Sequence, residues 1–273
     1  MSATHPHSYL FVPANRPERI DKALAAGADC VIIDLEDAVP PQDKEAARAA
    51  AAAWLLRHGT PGPELLVRIN GSTTEWYEED VALCRAHGIQ VVLLPKAEDS
   101  LAIARLAAAL APGALVMPLI ETAVGMARSA QVLQAPRVQR VAFGTVDFQL
   151  DTGIEGDGLE LLYFRSQLVL NSRLANIMAP IDGVSLSVDD EPRILADSMR
   201  ARNLGFGAKM CIHPRQVAVV NRAFAPTEKE IEWARRVVEA AAAARGAAFA
   251  LDGKMIDKPV IMKAERIVAG LRT

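Results

Sequence analysis

Short runs of apolar residues alternate along this chain with stretches in which apolar positions recur every three or four residues. The runs cover 9–12, 30–33, 65–69, 91–94, 115–120, 138–143, 181–186 and 208–212. Most are continuous rather than alternating, which is the pattern of strands covered on both faces. The periodic stretches 16–26, 43–58, 75–87, 100–110, 124–133, 159–178 and 191–204 predict helices between them. Gly27, Gly88 and Gly205 fall where helix C-terminal glycines belong, just before the next strand. Strand–helix alternation implies a parallel sheet with right-handed crossovers. Eight such units fit an α/β fold of the (β/α)₈ TIM-barrel type, whose usual size is about 250 residues. A doubly wound open sheet would need a glycine-rich phosphate loop after its first strand. The segment there, Pro13-Ala14-Asn15-Arg16-Pro17, has no glycine. The expected domains are a catalytic barrel over residues 1–225 and a C-terminal helical extension over 226–273, a packing arm or a lid.

Composition narrows the function classes. The chain has 273 residues, 51% of them hydrophobic, which is ample for a core. The net charge of −3, with no basic block, argues against nucleic acid as a partner. No apolar stretch approaches a membrane span of about twenty residues. The three cysteines, Cys30, Cys84 and Cys211, are unevenly spaced. They suit neither a disulfide framework nor a zinc site, and they point to a reducing, cytoplasmic setting.

In such a barrel the chemistry lies at the C-terminal ends of the strands. The polar residues at those ends are Asp34, Glu36 and Asp37, then Arg68 and Asn70, Lys96, Glu121, Asp147, Ser185 and Ser187, and His213. Glu121 and Asp147 follow consecutive strands. Two carboxylates with no nearby His or Cys suit Mg²⁺, or alternatively Mn²⁺, cations that keep several waters. The plainer readings are a helix cap for Glu121 and a loop turn for Asp147. Arg68 ends a core strand, where arginine is rare unless paired. It is either a structural ion pair or a clamp on a carboxylate or enolate. Glu36 and Asp37 are read as orienting metal-bound water or Arg68, with surface salt bridges as the alternative. His213 reads as closing the barrel. Lys96 is the one candidate for imine chemistry, which a metal site makes redundant.

These segments resemble the citrate lyase β-subunit-like branch of the HpcH/HpaI aldolase/citrate lyase family, the CoA-ester lyases. The matching stretches begin with Leu10-Phe11-Val12-Pro13-Ala14-Asn15-Arg16-Pro17-Glu18-Arg19, Asp34-Leu35-Glu36-Asp37-Ala38-Val39, Val67-Arg68-Ile69-Asn70 and Leu94-Pro95-Lys96. They continue with Ile120-Glu121-Thr122-Ala123, Gly144-Thr145-Val146-Asp147-Phe148, Gly207-Ala208-Lys209-Met210-Cys211-Ile212-His213-Pro214 and Gly253-Lys254-Met255-Ile256-Asp257. The resemblance implies a (β/α)₈ barrel that assembles as homotrimers or hexamers. It implies Glu121 and Asp147 as Mg²⁺ ligands and Arg68 as the 2-oxo-acid-binding arginine. It also implies Asp257 as an acid/base that enters a neighbouring subunit's site. The implied reaction breaks or forms the C–C bond between an acyl-CoA enolate and a 2-oxo acid. CoA phosphates would then call for basic groups at the rim, and Arg16, Arg19 and Lys22 are the nearest. Three positions depart from the family pattern: Val146 stands where a Glu is common, Thr152 where a Leu is usual, and Ala208 in place of a second glycine. The competing functions are a metal-dependent pyruvate-type aldolase without CoA, a lyase subunit that needs an acyl-carrier partner, and a non-catalytic small-molecule binder.

Overall fold

The computed structural model describes residues 6–59, 62, 64–244 and 248–270. Pro6–Phe224 form one compact unit and residues 225–270 belong to a second. In the first, eight parallel strands close a barrel in sequence order. They are β1 Ser8–Pro13, β2 Cys30–Asp34, β3 Leu65–Arg68, β4 Val91–Leu94, β5 Leu115–Ile120, β6 Ala142–Phe143, β7 Ile181–Asp182 and β8 Ala208–Cys211. The helices are α1 Glu18–Ala25, α2 Lys44–His58, α3 Tyr77–Ala86, α4 Ser100–Ala109, α5 Ala123–Ala127, α6 Ser129–Val132, α7 Thr145–Thr152, α8 Leu162–Leu174, α9 Glu191–Leu204 and α10 Pro214–Phe224.

The continuous apolar runs are explained by two layers of core. Alternate strand residues, including Ile32, Leu66, Leu93, Leu119 and Met210, fill the barrel interior. Their neighbours, including Val31, Ile33, Val67, Val92 and Ile120, face the helices. Each buried aliphatic side chain contributes roughly 1.5–3 kcal/mol. Gly27, Gly88 and Gly205 all adopt positive φ, as helix-ending glycines should. Cys30, Cys84 and Cys211 are buried and unpaired.

Four expectations shift. The sixth run is strand only at Ala142–Phe143; Val138 makes an isolated bridge to Val116. Between them Arg140 turns its guanidinium to the Ala179 and Pro6 carbonyls and the Tyr9 hydroxyl. The seventh run stops at Asp182, because Gly183 packs against Thr145: a Cβ there would lie 2.1 Å from Thr145 Oγ1. The helix expected over 124–133 is two pieces, α5 and α6. The Ser129 hydroxyl at their junction donates to the Met126 carbonyl, which competes with the helical ladder. The segment around Asp147, expected as a turn, is helix α7, ended by Gly153 in the left-handed conformation.

The second unit is not purely helical. α11 Glu228–Ala243 opens with a capping box formed by Thr227 and Glu230. A hairpin of β9 Phe249–Leu251 and β10 Lys254–Ile256 precedes α12 Lys258–Gly270. Ala234, Val237, Ile256 and Ala264 form its small core.

Candidate active site

The barrel's register brings the first pair of charges together. Asp34 and Arg68 are cross-strand neighbours at the last paired positions of β2 and β3. Arg68 Nε donates to Asp34 Oδ1 at 2.7 Å and Nη2 to Oδ2 at 2.6 Å. This two-point fork is the strong form of the ion pair. The same carboxylate accepts the N–H groups of Glu36 and Ala38, so the acidic loop folds into a turn around it. Arg68 Nη1 lies 2.9 Å from Glu36 Oε2 and 3.5 Å from Asp37 Oδ2. The Phe11 ring packs 4.7 Å from the guanidinium carbon. Burial opposes the guanidinium's charge, but Asp34 outweighs it and raises the pKa further. Arg68 is thus a structural pair and also a wall of the site. Nη2 carries two N–H groups and gives one to Asp34, which leaves the other as a donor.

Ile120 and Phe143 are paired residues of β5 and β6, so the next residues, Glu121 and Gly144, lie side by side. A Cβ at 144 would come within 2.5 Å of Glu121 Oε2 and 2.6 Å of its Cβ. Only glycine leaves room for the carboxylate there. Glu121 is 2% exposed. Its Oε1 accepts the Lys96 N–H at 2.8 Å. Burial, then the charges of Glu36 and Asp147, push its pKa up to about 8. Asp147 sits in the first turn of α7, and with Glu121 and Arg68 it lines a cavity of about 410 Å³ at the mouth of the barrel. Phe11, Leu119, Val184, Leu186, Met210 and Ile212 supply the apolar wall.

Carboxylates dominate this mouth. Asp34, Glu36, Asp37, Glu121 and Asp147 face Arg68 and Lys96. Burial is the main cause of the raised Glu121 pKa, and the added repulsion from Glu36 and Asp147 marks a place where positive charge is favourable. Oxygen donors with no imidazole or thiolate suit a hard cation. Among the described residues no group of three or more His, Cys, Asp or Glu forms a metal cluster. Glu121 and Asp147 offer the kind of oxygen donors taken by a hard cation that keeps much of its water, as Mg²⁺ does.

Other candidates are placed as follows. Glu36 is buried, with Lys96 Nζ on its Oε1 at 2.7 Å; Asp37 is exposed. Burial opposes the charge on Lys96, but Glu36 outweighs it and raises the pKa. That is the wrong direction for an imine-forming lysine. Glu121 does not cap the following helix; Thr122 does. His213 Nδ1 accepts the Arg215 N–H at the start of α10, a structural duty. Arg16 is exposed in the loop after β1, at the rim. Lys22 is in the last turn of α1, roughly 6 Å down the helix from its start at 1.5 Å per residue. Neither lines the cavity. Asp257 belongs to the C-terminal unit, exposed at the N-terminus of α12. There its Oδ1 accepts the Val260 N–H at 3.4 Å.

Lys44 escapes a reading by motif. Its buried Nζ donates to the carbonyls of Leu35 and Glu36 and to Asn70 Oδ1, each at 2.7 Å. It ties the acidic loop to the end of β3. A cue exists: Lys44 is the first residue of α2, where the helix dipole disfavours a cation unless it has partners. Asp80 completes the tie by accepting from Asn70 and Arg48.

Known proteins resemble this chain in sequence and in fold. The profile of the HpcH/HpaI aldolase/citrate lyase family matches residues 7–214. A citrate lyase subunit beta-like protein of Deinococcus radiodurans is 36% identical over 96% of both chains. The citrate lyase subunit beta of Leuconostoc mesenteroides subsp. cremoris is 33% identical over 95% of this chain and 91% of its own. The crystal structure of the Mycobacterium tuberculosis protein CitE, in complex with magnesium, acetoacetate and coenzyme A, superposes with a TM-score of 0.86. It is 33% identical, with both chains covered in full. A barrel mouth with these two carboxylates, and similarity over nearly the whole length, lead to one conclusion: this chain belongs to the HpcH/HpaI aldolase/citrate lyase family.

Proposed function

We propose that this chain is a Mg²⁺-dependent carbon–carbon lyase of the citrate lyase β/malyl-CoA lyase type. Its substrate would be a 3-hydroxyacyl-CoA thioester, cleaved to, or formed from, an acyl-CoA and a 2-oxo acid. The observation that carries the reading is the meeting of Glu121, Asp147 and Arg68 in one cavity. The magnesium, acetoacetate and coenzyme A in the related Mycobacterium tuberculosis protein support it.

In this reading Glu121 and Asp147 hold the cation. Held there, the metal would supply Lewis acidity to the oxygen that becomes the carbonyl. Arg68 would offer its remaining Nη2 N–H to the oxo-acid carboxylate while Asp34 holds the guanidinium in place. Glu36 and Asp37 balance its charge. The apolar wall from Phe11 to Ile212 limits water near the reacting carbons. Asp257 is the proposed proton-transfer group, taking the hydroxyl proton as the C–C bond breaks and passing it to the α-carbon of the departing acyl-CoA enolate, with the reverse transfer in synthesis. For it to serve a neighbour's site the protein must be an oligomer. Tyr163, Leu170 and Leu174 share one exposed face of α8, which supports self-association, proposed here as a homotrimer or hexamer. Arg16 is the rim cation proposed for the CoA phosphates; Lys22 would act through a reach up α1.

The test is a panel of CoA thioesters incubated with Mg²⁺ or with EDTA, read by release of 2-oxo acid and of free CoA. Metal-dependent release of oxo acid supports the reading, and turnover insensitive to EDTA refutes it. The similarity to a citrate lyase β subunit supports a second reading, in which the chain works on a carrier-bound acyl group. Activity on free CoA esters excludes that reading.

A further inference from the structure

Lys96 follows β4 with its backbone at φ 48°. This left-handed region is crowded for any side chain with a Cβ, and it favours glycine, then asparagine and aspartate. Among the described residues the other non-glycine ones there are Arg137, Asn176 and Asp252. None of these lines the cavities at the mouth of the barrel. An uncommon backbone conformation beside a cluster of functional groups calls for a cause.

The local hydrogen bonds supply it. Leu94 pairs with Pro118 in the barrel ladder. The ladder resumes with the Ala97 N–H on the Leu119 carbonyl. Pro95, between them, has no N–H to give. The Lys96 amide lies outside the ladder, where the Ala97 N–H has taken the Leu119 carbonyl, and donates to Glu121 Oε1 at 2.8 Å. The side chain of the same residue reaches the other way, to Glu36 Oε1 at 2.7 Å. Just beyond it the main chain is clamped. A Cβ at Gly125 would stand 2.8 Å from the Ala97 carbonyl oxygen, so α5 closes directly on this turn. One residue thus holds two buried carboxylates, one through its main chain and one through its side chain. It also lines a larger cavity of about 690 Å³ shared with Asn70 and Trp76.

We infer that Lys96 is a positioning residue for the metal-binding carboxylate: its left-handed backbone aims an amide N–H at Glu121, and its bond to Glu36 keeps the turn in place. This rests on the reading of Glu121 as a metal ligand. The backbone is the active part. Substitutions that all delete the ammonium should therefore differ from one another according to how well each residue tolerates φ above zero.

The experiment compares Lys96→Gly, Lys96→Asn, Lys96→Ala and Lys96→Val in the full chain. Mg²⁺ affinity is measured by titration calorimetry, and melting temperature is measured without metal. Affinity should rank Gly and Asn first, Ala next and Val last. Val should bind about tenfold or more weakly than Gly, the usual cost of disturbing a group that orients a ligand. If Lys96→Val does not fold, the Gly-to-Ala difference carries the comparison, with a severalfold gap expected. Equal affinities across the folded variants, with only melting temperature varying, would reduce Lys96 to a structural turn. Glu121→Gln is run alongside. If it abolishes Mg²⁺ binding while the Lys96 series is flat, the positioning role alone is wrong. If it leaves binding unchanged, the metal assignment falls and the positioning role falls with it.

Discussion

Replacing Arg68 by lysine would leave Asp34, 1% exposed, facing a single ammonium where it now meets a two-point fork. Lysine cannot reproduce that geometry. Arg68→Lys should lower both the melting temperature and the affinity for oxaloacetate or glyoxylate, the first because a buried carboxylate loses a partner. Differential scanning calorimetry and ligand titration read the two effects separately. Loss of ligand affinity with an unchanged melting temperature would show that the Asp34 pair contributes nothing to folding. Gly144 makes a sharper case. Its missing Cβ is the space Glu121 occupies, so Gly144→Ala should weaken Mg²⁺ binding about ten- to a hundredfold with the barrel intact. Native circular dichroism with unchanged Mg²⁺ affinity would show that Glu121 can shift without consequence.

Elements separate what a sequence can disclose from what it cannot. Strands β4 and β5 and helix α9 stand at the boundaries their hydrophobic pattern predicts, because each lies in a layer where burial alone sets the pattern. The acids and Arg68 at the strand ends were legible for the same reason: charge is out of place beside a core. The shortened β6 and β7 were not, because Arg140 and the Gly183–Thr145 approach act between distant segments. Nor was the Asp34–Arg68 fork, which depends on register between β2 and β3. The α12 terminus yields a clean test. Asp257 accepts an N–H from the first turn of α12, and asparagine caps a helix about as well as aspartate. Asp257→Asn should therefore keep the melting temperature while turnover falls about a hundredfold or more, the range for a lost proton-transfer group. Mixing Asp257→Asn chains with Glu121→Ala chains should restore part of the activity if sites are shared between subunits. Full turnover in Asp257→Asn alone would leave the residue a cap and nothing else.

The molecule as a whole should respond to pH through Glu121. Its folded pKa, about 8, is above its ordinary value of 4.5. The native state then holds a proton that the unfolded chain has released, so metal-free stability should fall as pH rises between those values. The size is on the order of a few kcal/mol, or several degrees in melting temperature. On the proposed assignment of Glu121 to Mg²⁺, binding would displace that proton, so the metal should remove the pH dependence, and affinity should climb with pH up to about 8. Melting curves from pH 5 to 9 with and without Mg²⁺ check both; a metal-free curve rising through this window would contradict the assignment. The buried cysteines bear on how such a protein is assayed. Burial pushes the thiols of Cys30 and Cys211 up to about 12 and raises that of Cys84 as well. None offers a thiolate to a chromogenic disulfide at neutral pH. Free CoA can therefore be followed continuously with such a reagent over native protein, without a background from the enzyme itself. A slow rise of colour without substrate would then report the unfolding rate, since the three thiols are buried in the folded chain.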